Sequence, residues 1–243
     1  MPKYVDDAKK RIVKGIRKYT KIIEEAKNRS VNEADTRDIV KAILGDVLGY
    51  DPFFEVTGEY QIKGQYADFA IKIGDQTQFF VEVESVGTKL QEKQMFQIIA
   101  YAANQGHDWA VLTNGETWNI YRLFTGADKG TELAFSMTLT DAEMTLREKT
   151  DLMFLISQEG FRRNALQDHW SRMQILNPLR VAEKLCGEQV LWAIRREVQR
   201  GAGCTFELDA IQSIVLNEVI RGDLADKIKL PGKKISGFSK KTS

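Results

Sequence analysis

Two cysteines and two histidines in 243 residues leave little material for several kinds of chemistry. Cys186 and Cys204 cannot make a disulfide framework, and without a CxxC pair they cannot hold zinc or run thiol redox reactions. They read as buried thiols in a reducing, cytoplasmic setting. His107 and His169 are too few for an HExxH zinc site, and a Ser-His-Asp triad has almost nothing to draw on. Any metal must therefore be held by oxygen. Neither a GxxxxGK[ST] loop nor a GxGxxG turn occurs, so no nucleotide cofactor is expected. Long apolar runs are missing too: Phe79-Phe80-Val81 meets a charge at the next residue, and Met1 to Arg11 is charged. Neither a membrane span nor a secretory leader is expected.

What is present suffices for one substantial core and a smaller one, with 43% hydrophobic and 28% charged residues. The formal net charge of +1 hides a pattern. Residues 1–30 carry ten Lys/Arg against four Asp/Glu, and residues 227–243 carry six Lys and no acid, so the stretch between is net acidic. Basic ends can track a phosphate backbone by releasing counterions. A solvated helix face and a disordered tail account for the same charges.

Apolar positions at Ile12, Ile16, Tyr19 and Ile23 predict an amphipathic helix from Tyr4 to about Lys27. A second helix is expected from Asn32, whose side chain can cap Glu33-Ala34-Asp35, to Gly49. The period then changes to two. Strands are predicted at Phe54–Gln61, Tyr66–Ile73 and Gln78–Glu84, with Gly74-Asp75 turning the last two into a hairpin. Glu92–Asn104 reads as a helix, and Trp109–Thr113 and Trp118–Leu123 as strands around Asn114-Gly115. The fold class is thus α/β with a mixed sheet flanked by helices, followed by a smaller all-α domain. Its helices are expected at Met144–Ser157, Arg163–Leu176, Val181–Leu185, Val190–Gln199 and Leu208–Ile220, with a short extended piece at Cys204-Thr205-Phe206. The predicted domains are 1–140, 141–230 and a basic tail 231–243 expected to be disordered.

Side-chain alternation puts Glu82 and Glu84 on one face of their strand, with Val81 and Val83 on the other. Across the hairpin, Asp68 can reach the same end of the sheet. Two like charges about 4 Å apart repel by roughly 4 kcal/mol at an effective dielectric of about 20, so three gathered carboxylates call for a cation or a shared proton. A hard ion such as Mg²⁺, held by oxygens, meets that need and can activate water against phosphorus. An acidic exposed strand face is the simpler alternative. Against it, the acids interrupt a strand that otherwise reads as buried, where an unpartnered carboxylate is costly.

The series Asp68, then Glu82-Val83-Glu84, then Gln97-Ile98-Ile99-Ala100-Tyr101 resembles the D…ExK…QxxxY pattern of the PD-(D/E)XK nuclease superfamily. More closely, it looks like the N-terminal nuclease region of type I restriction enzyme R subunits and the stand-alone predicted type IV restriction endonucleases. The resemblance runs from about Glu33 to Arg122 and takes in Leu48-Gly49-Tyr50-Asp51, Ala67-Asp68-Phe69 and Leu112-Thr113-Asn114-Gly115. It implies a restriction-endonuclease-like fold and Mg²⁺- or Mn²⁺-dependent hydrolysis of double-stranded DNA. It further implies that Asp68, Glu82, the Val83 carbonyl and Glu33 hold the ion, while Gln97 and Tyr101 lie beside it on one helix face.

One position departs from that pattern: the family lysine, which orients water and stabilises charge on phosphorus, is Glu84 here. Glu84 can serve as a general base or further ligand, a lysine such as Lys89 or Lys93 can take over, or catalysis is lost and a DNA- or protein-binding module remains. An assembly role, as a homo-oligomer or within a restriction complex, is the further alternative. Among weaker candidates, His107 could shuttle protons but reads as a surface histidine. Thr113-Asn114-Gly115 could present a polar turn to DNA but reads as a hairpin turn. Trp170 and Trp192 read as core rather than base-stacking residues.

Overall fold

The computed structural model describes residues 2–62, 65–95, 107–124, 130–201 and 203–228. The chain divides into two compact units, Met1–His169 and Trp170–Ser243. The change from strands to helices expected near residue 140 is a change of element type; the packing changes later, inside the helix Ala165–Ile175.

In the first unit, α1 (Lys3–Asn28) buries Val5, Ala8, Ile12, Ile16, Tyr19, Ile23 and Ala26 at intervals of three and four. Full burial of a side chain such as Ile12 or Ile23 contributes roughly 2 kcal/mol. The second helix, α2 (Glu33–Asp46), is capped as expected, with the Asp35 amide donating to Asn32 Oδ1 at 2.9 Å. The segment after α2 crosses α1 at Gly15, where an added Cβ would come within 2.6 Å of a Val47 methyl. Only glycine allows that approach.

Among the described residues six strands form one sheet in sequential order: β1 (Val56–Ile62), β2 (Gln65–Ile73), β3 (Gln76–Val83), β4 (Trp109–Thr113), β5 (Thr117–Phe124) and β6 (Gly130–Thr138). Every neighbouring pair is antiparallel except β3 with β4, so the sheet is mixed. The β2–β3 hairpin turns at Gly74-Asp75 between the paired residues Ile73 and Gln76, with Gly74 at φ +61°. Between β4 and β5, Gly115 (φ +80°) lies under Ile23 of α1, and its missing side chain makes room for that helix. β6 is an addition to the expected strands. It is an edge strand with Glu132 and Leu133 exposed, and its alternation is weak in sequence.

Both faces of the central strands are covered, which explains their near-continuous apolar reading. Register places Ala70, Phe80, Ala110 and Tyr121 in one row across β2 to β5, part of a core with Leu112 and Leu123. α2 packs on β3, whose Phe79 also stacks with Phe161 and meets Tyr50 edge-on.

α3 (Leu146–Leu155) starts in a capping box between Thr145 and Glu148 and packs along α1. Arg11 of α1 forms a two-pronged pair with Glu159 of α4 (Gln158–Phe161), at 2.8 and 2.7 Å. These contacts hold the stretch after β6 in the first unit.

The second unit takes in the end of α5 (Ala165–Ile175) and contains α6 (Pro178–Leu185), α7 (Glu188–Gln199) and α8 (Leu208–Ile214), which continues as a wider turn over Val215–Val219. Its core gathers Ala182, Cys186, Leu191, Ile211, Val215 and Ile220. Trp170 is buried as expected. Trp192 is not: it is 51% exposed although it directly follows buried Leu191, with the Arg195 guanidinium over its ring at 4.8 Å. Cys204 also departs from expectation, being exposed, while Cys186 is buried. Cys204-Thr205-Phe206 pairs with no strand among the described residues. No helix among the described residues is long and apolar enough to cross a membrane.

Candidate functional site

The residues of interest gather where β2 and β3 run beside the first turn of α2. Continuing the register one step past the Phe69–Val81 pair sets Asp68 opposite Glu82. Paired residues share a face, so both lie in the row that continues from Ala70 and Phe80, with Leu112 of β4 as Glu82's other neighbour. Glu82 is therefore an acid in line with an apolar core.

Each Asp68 oxygen has its own donor: Oδ1 accepts from Arg37 Nη1 at 3.0 Å, and Oδ2 from the Val83 amide at 2.8 Å. The Asp68 side chain is 12% exposed and that of Arg37 33%. Glu82 is treated differently, since its Oε2 is buried with no hydrogen-bond partner among the described residues. Burial pushes the Glu82 carboxyl up from 4.5 to about 8, with the negative charge of Asp68 adding to the effect. The Asp68 amide opposes this shift, and Glu84 and Glu33 reinforce it more weakly.

Glu84 extends the β3–β4 ladder, its amide donating to Thr113 O at 2.8 Å. Burial raises its carboxyl above the usual range, the charges of Glu33 and Asp68 push the same way, and a hydrogen bond from Gln94 pulls back. Glu33, exposed at the start of α2, thus acts electrostatically on both Glu82 and Glu84. Buried Thr36 ties α2 to the strand end, its Oγ1 accepting from the Val86 amide at 3.1 Å.

Four acids are thus electrostatically coupled, but they do not form a finished cage. Among the described residues no three His, Cys, Asp or Glu side chains converge closely enough to hold an ion. Arg37 occupies one oxygen of Asp68. The donor set still suits a hard divalent cation: among the described residues all ligands on offer are oxygens, one buried carboxylate oxygen is unpartnered, and the acids outnumber Arg37, the cation in contact with Asp68.

Two residues of the QxxxY series, Gln97 and Tyr101, and most of the helix expected over Glu92–Asn104 lie outside the described residues; Glu92–Met95 is a single 3₁₀ turn. Lys89 and Lys93 are exposed, and neither makes an ion pair with the cluster among the described residues. His107 packs edge-on against Phe80 and is lowered by burial. Its backbone partner Thr77 is five residues before Glu82 along β3, about 16 Å away. The Thr113-Asn114-Gly115 turn is buried rather than offered to a ligand. Asn114 Oδ1 accepts from the Glu116 and Thr117 amides, and its Nδ2 donates to Thr88 O at 2.8 Å.

Arg37 and Gln94 were not singled out in the sequence. Arg37 had a signal: it lies four residues after Glu33, on the same helix face. Gln94 had none.

Searches against protein-family models, curated proteins and solved structures each return no match for this chain.

Proposed function

We propose that this chain is a restriction-type endonuclease with a restriction-endonuclease-like core, hydrolysing phosphodiester bonds of double-stranded DNA with Mg²⁺ or Mn²⁺. The observation that carries the reading is Glu82 Oε2, buried beside Asp68 at the end of a hairpin and unpartnered among the described residues. A native structure rarely leaves such an atom without a reason. Its place in a series that resembles the D…ExK…QxxxY pattern supplies one.

In this reading Asp68 and Glu82 hold the ion, with the Val83 carbonyl and Glu33 as further oxygen donors. The ion would generate a nucleophile from water at neutral pH and offset charge on the phosphate. Arg37 fixes the Asp68 carboxylate through one oxygen while the Val83 amide fixes the other. Glu84 would take a proton from the attacking water, a role that a carboxyl raised above the usual range by burial and by Glu33 suits better than an ordinary one. Gln97 and Tyr101 contact phosphate on the strength of the resemblance alone.

A second reading has its own support. Glu84 stands where the family has lysine, and Asp68 is already engaged by Arg37, as in a nuclease-like module that binds without cutting. Incubation of supercoiled plasmid with the protein and Mg²⁺ or Mn²⁺ separates the two. The endonuclease reading expects nicking that is lost in Asp68→Asn. If neither ion supports nicking by the parent and Glu84→Lys creates it, the binding module is correct.

A further inference from the structure

From Ala8 to Ile23, α1 carries seven cations and no acid. Three of the seven are tied into the first unit: Lys9 to Asp151, Arg11 to Glu159 and Lys18 to Asp46. The other four, Lys10, Lys14, Arg17 and Lys21, are exposed and have no ion pair among the described residues. At about 100° per residue these four fall within an arc of about 60°, on the side of the helix opposite Ile12, Tyr19 and Ile23. At 1.5 Å per residue the row is about 16 Å long, with one positive charge per helical turn.

A face that serves only to be wetted mixes both signs and gains from i,i+4 pairs. This one excludes acids over four turns, although acids and bases are nearly equal in the whole chain. Shallow grooves flank the row. One of about 660 Å³ is lined by Asp6, Lys9, Lys10, Val13, Lys14 and Arg17. The other, about 800 Å³, has Arg17, Lys18, Lys21, Lys149, Glu24 and Asp141 among its lining residues, four cations against two acids.

We propose that the row Lys10, Lys14, Arg17 and Lys21 is a docking surface for the phosphate backbone of a nucleic-acid duplex. A linear series of unpaired cations on a rigid rod matches a linear polyanion, and the grooves give room beside it. A membrane fits less well, because the apolar side of α1 is buried in the protein and cannot enter lipid. This inference goes beyond the reaction proposed above and does not require it.

The test measures binding of a fluorescent 20-bp duplex in EDTA between about 50 and 200 mM salt, so that a site unable to cut leaves the result intact. Each cation that neutralises a phosphate contributes about 0.9 to the slope of log K against log salt. The variant K10Q/K14Q/R17Q/K21Q is expected to lower that slope by about 3–4 and to weaken binding at least about 10-fold near 100 mM. The variant K41Q/R172Q/R180Q/K184Q, which removes as many exposed charges elsewhere, is expected to change the slope by less than about 1. If circular dichroism shows the first variant unfolded, the single changes K14Q and R17Q each serve in its place, with a loss of about 0.9. No duplex binding by the parent, equal losses in both variants, or an unchanged slope in the row variant overturns the proposal. So does binding to phosphatidylserine vesicles that depends on the row while duplex binding does not.

Discussion

Two acids in the same unit, Glu116 and Glu82, face the same physical problem and meet it differently. Glu116 is 8% exposed, pairs with Lys27 at 2.7 Å and accepts a hydrogen bond from Thr140. Its burial is compensated from within the chain. Glu82 is placed in line with Phe80 and Leu112, with three acids acting on it and one oxygen unpartnered among the described residues. A buried carboxylate without a partner costs several kcal/mol, so a protein that keeps one is balancing stability against something else. The contrast separates a structural acid from a candidate ligand without reference to any relative.

The comparison is sharpened most by activity. Glu82→Gln is expected to lower Mn²⁺-supported plasmid nicking by at least about 10²-fold, whereas Glu116→Gln, assayed where it is folded, stays within a few-fold of the parent. Equal rates for the two variants would erase the distinction. Stability orders them the other way. Glu116→Ala is expected to lose about 2 kcal/mol in denaturant unfolding at pH 7, because Lys27 and Thr140 lose their partner, with Lys27's partial exposure limiting the loss.

The smallest effect is the pH dependence. The Glu82 carboxyl titrates near 4.5 when unfolded and near 8 when folded, so between those values the folded state holds the extra proton. Its contribution therefore makes stability fall as pH rises from about 4.5 to about 8, and level off above. Glu82→Gln should flatten that slope and exceed the parent at pH 8.5 by on the order of 1 kcal/mol, given the partial exposure of the site. Adding Mg²⁺ should narrow the gap by stabilising the parent alone. A parent as steep as the variant, with or without ion, would mean that Glu82 is not strained by its surroundings.

Much of the first unit was legible because local chemistry and long-range packing agree there. Gly74-Asp75 and Asn114-Gly115 turn the chain where positive φ is needed, and α1 buries the residues its period names. β6 was not legible, since an edge strand with one face in water carries half the pattern. Trp192 was misread because a large aromatic on a helix is usually core, and the small second unit leaves much of its apolar surface outside. In the candidate site, Asp68 and Glu82 could be placed together from strand alternation and one hairpin. The Arg37 contact could not, because it joins α2 to β2 across 31 residues.

The single parallel seam of the sheet, between β3 and β4, also sets an order of assembly. β2 and β3 can zip together through a two-residue turn within microseconds, while β4 must wait for the intervening 25-residue stretch to close. On that order Asp68 and Glu82 are expected to meet while water still screens their charges, before the apolar row is sealed beside them. The electrostatic penalty of the cluster accordingly falls late in folding, where it hastens unfolding more than it slows the approach to the native state.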